Sequence, residues 1–129
     1  MIFVDSSVWI SAFRDSRSPE ARALTSLLDQ DEVAISIPVY LQVLTGAKRE
    51  DRSRLQSALS ALPMFYPSHE TWARMEEWTM NAMDRGERFG IMDLLVASIA
   101  RDQEGSLWSL DADFGRMARL GFISLFRPG

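Results

Sequence analysis

The sequence predicts an α/β fold in which a small, mainly parallel sheet lies between two layers of helices. Three observations lead there. Short apolar runs alternate with segments of helical periodicity along the whole chain. Those runs are continuous, as in strands buried on both faces, and not alternating in polarity. The connections hold cap and turn residues but no linker, repeat or low-complexity tract, so residues 1–129 are expected to form a single domain.

Ile2–Val4 reads as the first buried strand, and Ser6–Phe13 as a helix with Val8, Trp9, Ala12 and Phe13 on one side. Ser18-Pro19-Glu20 opens a second helix, because serine caps the first turn and proline suits the first helical position. It is expected to run to about Leu28, with Ala21, Leu24, Leu27 and Leu28 as its apolar stripe. Val33–Ile37 is the second strand. Ser36, Ile37 and Pro38 mark the entry to a third helix that ends at Gly46, and a fourth over 51–62 buries Leu55, Leu59 and Leu62 before Pro63 stops it. Met64–Tyr66 is a weak extended stretch. A long helix from about Ser68 to Arg85 follows, with Trp72, Met75, Met80 and Met83 read as its core stripe and Trp78 off it. Ile91–Asp102 is a helix and Ser106–Leu110 a strand. Asp111-Ala112-Asp113 then turns into a short helix, and Gly121 introduces the last strand, Phe122–Phe126.

A hydrophobic content of 47% with 25% charged residues describes a globular protein, not a disordered one. No apolar stretch is long enough to cross a bilayer, and Asp5 interrupts residues 1–13 before they resemble a signal peptide. There are no cysteines, which excludes disulfides and thiolate metal sites and fits a cytoplasmic protein. The net charge is −4, and Lys48 is the only lysine beside 13 arginines. An acidic total gives no support for nucleic-acid binding, although it leaves room for a local phosphate-binding surface.

Parallel sheets place their sites beyond the carboxyl ends of the strands. Asp5 follows the first strand, Asp111 and Asp113 follow the Ser106–Leu110 strand, and Asp93 lies in the first turn of the Ile91–Asp102 helix. Carboxylates gathered without basic partners repel, so a fold tolerates them mainly where a cation neutralises them. Oxygen ligands without His or Cys point to Mg²⁺, with Mn²⁺ as a substitute, and such a site suits phosphodiester hydrolysis. Each position also has a plain alternative. Asp93 stabilises a helix N-terminus in any case, and Asp111 and Asp113 are ordinary turn residues when taken singly.

The ordered segments "FVDSSVWI", "SIPVYLQVLTGAK", "GIMDLLVASIA" and "SLDADF" resemble the PIN domain, specifically the VapC-type toxins of bacterial toxin–antitoxin pairs. The likeness spans the chain from its first strand to "GFISLF". It implies a compact α/β/α sandwich and a Mg²⁺- or Mn²⁺-dependent endoribonuclease acting on RNA such as tRNA or rRNA. It also implies neutralisation by a cognate antitoxin, and a homodimer. By the same resemblance Asp5, Asp93 and Asp111 are metal ligands, Asp113 is a nearby carboxylate, and Ser6 and Ser109 are hydroxyl positions around the cluster. Strand-end capping is the plain alternative for both serines.

The pattern breaks at Gln42. The family stretch is like Y-x-E-V-L-x-G, whereas this chain has "YLQVLTG". Glutamine keeps the shape and one carbonyl oxygen but carries no charge and accepts no proton at neutral pH. An isosteric change made to disarm a toxin, a natural inactive scaffold that only binds antitoxin or RNA, and an active enzyme relying on its aspartates all remain open. Arg14 and Arg17, and the group Lys48, Arg49, Arg52 and Arg54, are candidates for RNA-backbone contact, with solvated mixed-charge loops as the alternative. Core packing is the preferred reading of the apolar surplus on the long helix, and some of it, with Trp9, Phe13 and Leu24, is a candidate for an apolar groove that takes a partner segment. Two other acidic α/β classes fit poorly. A haloacid-dehalogenase-like phosphatase needs an aspartate where Ser7 stands, and a receiver domain needs a lysine after a late strand.

Overall fold

The chain runs β1 (Ile2–Val4), α1 (Ser6–Arg14), α2 (Pro19–Asp29), β2 (Val33–Ser36), α3 (Ile37–Gly46), α4 (Arg52–Ser60), β3 (Met64–Phe65), α5 (His69–Asp84), α6 (Ile91–Asp102), β4 (Ser106–Trp108), α7 (Ala112–Arg119) and β5 (Ser124–Leu125). The computed structural model describes all 129 residues. The strands form one parallel sheet in the order β3-β2-β1-β4-β5. At its centre Phe3 is in register with Ala34 on one side and Leu107 on the other. The chain steps outward from β1 through β2 to β3, then returns over α5 and α6 to the opposite side of β1. That reversal, with right-handed crossovers, sends α1–α4 and α5–α7 to opposite faces of the sheet. α1 packs on α2 and α3, α6 packs on α5 and α7, and the two groups meet where α3 packs against α6.

The strands are brief because each need only bury a few apolar side chains between helix layers. Phe3, Val4, Ala34, Ile35 and Leu107 are almost wholly buried and form the middle of the core. Ile37 belongs to α3 and not to the preceding strand. β4 ends at Trp108, two residues earlier than its apolar run suggests, since the side chains of Ser109 and Ser7 capture the next backbone N–H groups.

The stripe on α5 falls on a different face from the one its methionines suggest. Thr71, Met75, Trp78 and Ala82 are buried, whereas Trp72, Met80 and Met83 are about half exposed. Trp78 is stacked on Phe122, their ring centroids 4.6 Å apart. A polar network explains the choice of face. Thr71 Oγ1 donates to Asp102 Oδ2, Arg74 Nη1 pairs with Asp102 Oδ1, and Ser98 Oγ donates 2.9 Å to the Thr71 carbonyl. Arg74 also donates to the Ser98 carbonyl at 3.0 Å. Burying those groups is tolerable only because each finds a partner, and the network fixes how α5 lies on α6. Leu28 and Phe13 are likewise exposed, Phe13 in the wall of a hollow with Ile10 and Val43, whereas Trp9 and Leu24 are buried in the core.

Four helices end in the same backbone motif. After α2, α5, α6 and α7 a residue takes the left-handed conformation: Asp31 (φ 60°), Gly86 (75°), Glu104 (53°) and Gly121 (83°). The N–H one residue further on closes the helix, as in Glu32 to the Leu27 carbonyl at 3.1 Å and Gly105 to the Ala100 carbonyl at 3.0 Å. Gly105 lies where a Cβ would come 2.8 Å from the buried Phe3 ring and 3.1 Å from the Met1 carbonyl oxygen. No helix is long and apolar enough to cross a membrane.

Replacing Glu104 by glycine removes the side-chain penalty of a left-handed residue, which is about 1 kcal/mol. Thermal unfolding of Glu104→Gly should therefore show a Tm raised by about 3 °C. Gly105→Ala should lower stability by about 1–3 kcal/mol through overpacking on Phe3, read from the denaturation midpoint.

Candidate active site

The reversal of strand order lies between β1 and β4, and the residues that follow these two strands meet there. The Asp5 N–H donates to the Trp108 carbonyl at 2.9 Å, locking the end of β1 to the end of β4. Asp5 is 5% exposed. Its Oδ2 accepts two hydroxyl protons, from Ser7 at 2.9 Å and from Ser109 at 2.8 Å. Each hydroxyl in turn accepts a backbone proton, Ser7 from Leu110 and Ser109 from Asp111, both at 3.0 Å. The donors are thus ordered from loop backbone to hydroxyl to carboxylate, an arrangement that holds Asp5 Oδ2 in place. Ser7, not Ser6, supplies the hydroxyl beside Ser109, because Ser6 begins α1 and makes no side-chain hydrogen bond to the cluster.

Asp93 stands in the first turn of α6, behind an N-cap glycine that offers it no capping partner. Its carboxyl is raised from the ordinary 3.8 to about 6, first by burial and then by Asp111, Asp5 and Asp113. A helix N-terminus alone favours the ionised form, so simple stabilisation of the helix does not account for this residue. Carboxylate oxygens of Asp93, Asp111 and Asp113 lie within 4.8 Å of one another. Asp111 does double duty: it is also the N-cap of α7, accepting the Asp113 N–H at 2.9 Å. Asp5 lies outside that group of three, yet its charge reaches Asp93.

Asp113 is the one acidic member with a basic partner. Arg116 Nη2 donates to it at 2.7 Å while Nη1 pairs with Glu87, and the guanidinium lies 4.7 Å from the centre of the Phe89 ring. Asp113, the first cause, and Glu87 hold Arg116 still more firmly protonated than an ordinary arginine. Arg116, Glu87 and Ser7 are the neighbours that sequence reasoning missed. The i, i+3 spacing of Asp113 and Arg116 signalled the first pair, whereas nothing local pointed to Glu87.

Gln42 faces the seam between α3 and α6. It lines an apolar hollow of about 480 Å³ with Leu41, Thr45, Met92 and Leu95, and no aspartate is hydrogen-bonded to it. Its amide oxygen Oε1 is buried without any hydrogen-bond partner. The donor set fits a hard divalent cation on two counts: it is all oxygen, and Asp5, Asp93 and Asp111 have no basic partner.

A PIN domain family model matches residues 2–120. The chain is 28% identical over 125 residues to Ribonuclease VapC11 of Mycobacterium tuberculosis, covering 93% of each. Among solved structures, it resembles VapBC2 from Rickettsia felis, bound to a DNA fragment from its promoter. That likeness has a TM-score of 0.80 at 22% identity and covers 98% of both chains. It also resembles VapC20 of Mycobacterium tuberculosis, a sarcin–ricin loop cleaving toxin. There the TM-score is 0.65 at 18% identity, over 98% of this chain and 100% of that one.

Because the Asp93 carboxyl holds its proton more tightly in the folded chain, its contribution to stability is most favourable below about pH 4. That contribution is lost as pH rises through about 6. In EDTA, the Tm of Asp93→Asn should match that of the unaltered protein at pH 4 and exceed it at pH 7.5. A gap independent of pH would contradict the crowding of negative charge around Asp93.

Proposed function

The chain belongs to the PIN domain family, and on that premise we propose that it is a VapC-type endoribonuclease toxin, restrained in the cytoplasm by a cognate antitoxin. The observation that carries the reading is the meeting of Asp93, Asp111 and Asp113 beside Asp5, with Arg116 as the lone basic neighbour. The ribonuclease named among its relatives, aligned over nearly its full length, supports the substrate class. The VapBC assembly among the structural neighbours, where VapBC is named as a family of toxin–antitoxin systems, supports the antitoxin.

In this reading Asp5, Asp93 and Asp111 hold Mg²⁺, or Mn²⁺ in its place. The bound ion supplies the positive charge that polarises a scissile phosphate and favours a nucleophilic water at neutral pH. The remaining work belongs to the chain. Ser7 and Ser109 keep Asp5 Oδ2 occupied, so Oδ1 is the oxygen left to face a ligand. Arg116 holds the Asp113 carboxylate against Glu87 and lowers the net negative charge that a phosphate must approach. Gln42 offers an amide oxygen and no base, so proton acceptance falls to the aspartates.

A second reading, a scaffold that binds antitoxin or RNA without cutting, is favoured by Gln42 alone. Calorimetric titration with Mn²⁺ separates the two: the enzyme reading expects a site that Asp5→Asn abolishes, and a scaffold expects none sensitive to it. Metal-dependent cleavage of RNA should leave 5′-phosphate and 3′-hydroxyl ends. If a carboxylate at position 42 serves as general base, Gln42→Glu should raise the rate about 10²–10⁴-fold. Equal rates for both forms would rule that role out. The homodimer is checked by sedimentation of the purified chain.

A further inference from the structure

Two open grooves meet at Leu110, one residue before Asp111. The larger, about 810 Å³, lies between the start of α2 and the end of the chain, and Arg22 and Arg127 stand on its walls with Ser109 and Phe126. The other, about 570 Å³, runs along α1, with Ser7 and Arg14 in its walls. Ser7 and Ser109 are the two hydroxyls that donate to Asp5, so each groove reaches a residue that supports the acidic centre.

The charges in the grooves are not those of a neutral, salt-bridged surface. Arg54, Arg74 and Arg116 are the arginines engaged in ion pairs. Arg14, Arg22 and Arg127 have exposed side chains and no carboxylate within ion-pairing distance, in a protein of net charge −4. The acids in the same walls are spoken for differently. Glu20 lies in the first turn of α2, where the helix N-terminus stabilises it, and Asp15 accepts the Arg17 N–H at 3.0 Å. Free guanidiniums fit phosphate, and the exposed Leu110 with the half-buried Phe126 offers apolar surface to an unstacked base. The occupant that matches is a single strand of nucleic acid, with phosphates on the arginines and its chain crossing Leu110.

We propose that the two grooves form one channel for single-stranded RNA, in which Arg22 and Arg127 bind backbone phosphates on one side of the acidic centre and Arg14 binds on the other. The inference rests on the ribonuclease reading, and it names where the strand lies. These arginines position substrate and do not touch the reacting atoms.

The test is binding of a fluorescently labelled single-stranded RNA by polarisation over a salt series, with cleavage followed in parallel. Arg22→Ala/Arg127→Ala should weaken binding at least about tenfold. It should also flatten the log–log salt dependence by about 1.4, the share of two phosphate contacts to a single strand. Arg14→Ala should weaken binding in the same sense, KM should rise with kcat kept, and Arg101→Ala, beyond the opposite end of the sheet, should change neither. Variants that bind and cut as the unaltered chain does would overturn the channel and leave the ribonuclease reading intact. An unaltered chain that binds no RNA would overturn both. Loss of affinity for a protein partner with RNA binding unchanged would mark the grooves as a protein-docking surface and sink the channel.

Discussion

The parallel pairing of β1 with β4 is the contact on which everything else in this molecule depends. It joins a strand at the start of the chain to one more than a hundred residues later, and it places Asp5 beside the loop that carries Ser109 and Asp111. The hydrogen bond from the Asp5 N–H to the Trp108 carbonyl is the last rung of that pairing and the first element of the site. Fold and chemistry therefore share a boundary of one residue. The helices that cross back over the sheet bring the third participant, Asp93, because α6 must lead into β4 from above the same edge.

Gathering acids in this way carries an electrostatic cost that the rest of the chain distributes unevenly. Asp5 is buried but supported by two hydroxyls, Asp113 is matched by Arg116, and Asp111 caps a helix. Asp93 has none of these aids, and its carboxyl is the one displaced toward neutrality. The first turn of α6 favours an ionised acid, so the cost at this position comes from burial and from the carboxylates gathered around it. Gln42 extends the same unevenness to α3, where a buried amide oxygen lacks a donor in a largely apolar hollow.

Much of this was legible in the chain itself. The helix over Ile91–Asp102 and the Ser-Pro start of α2 follow from periodicity and capping alone, because those signals are local. The meeting of Asp93, Asp111 and Asp113 was inferable from their places after a strand and at a helix start. The buried face of α5 was not, since Met and Trp at helical spacing look like core, whereas the deciding partners, Asp102 and Ser98, are about thirty residues away. The choice of Ser7 over its neighbour Ser6 is hidden for a similar reason: which of two adjacent hydroxyls turns inward depends on where α1 begins. The end of β4 is shorter than its apolar run because side-chain hydrogen bonds from Ser7 and Ser109 take over the next backbone N–H groups.

The hydroxyl relay beneath Asp5 has a direction, and that direction has a consequence for how errors spread. Backbone protons of Leu110 and Asp111 end on oxygens whose own protons end on one buried carboxylate. An amide nitrogen turned to the place of Oδ2 would accept neither hydroxyl proton, and both would have to turn to other acceptors. The hydrogen bonds that tie down the 109–111 segment thus converge on the acceptor at the far end of β1, so a change at that single acid is felt in a loop about a hundred residues away.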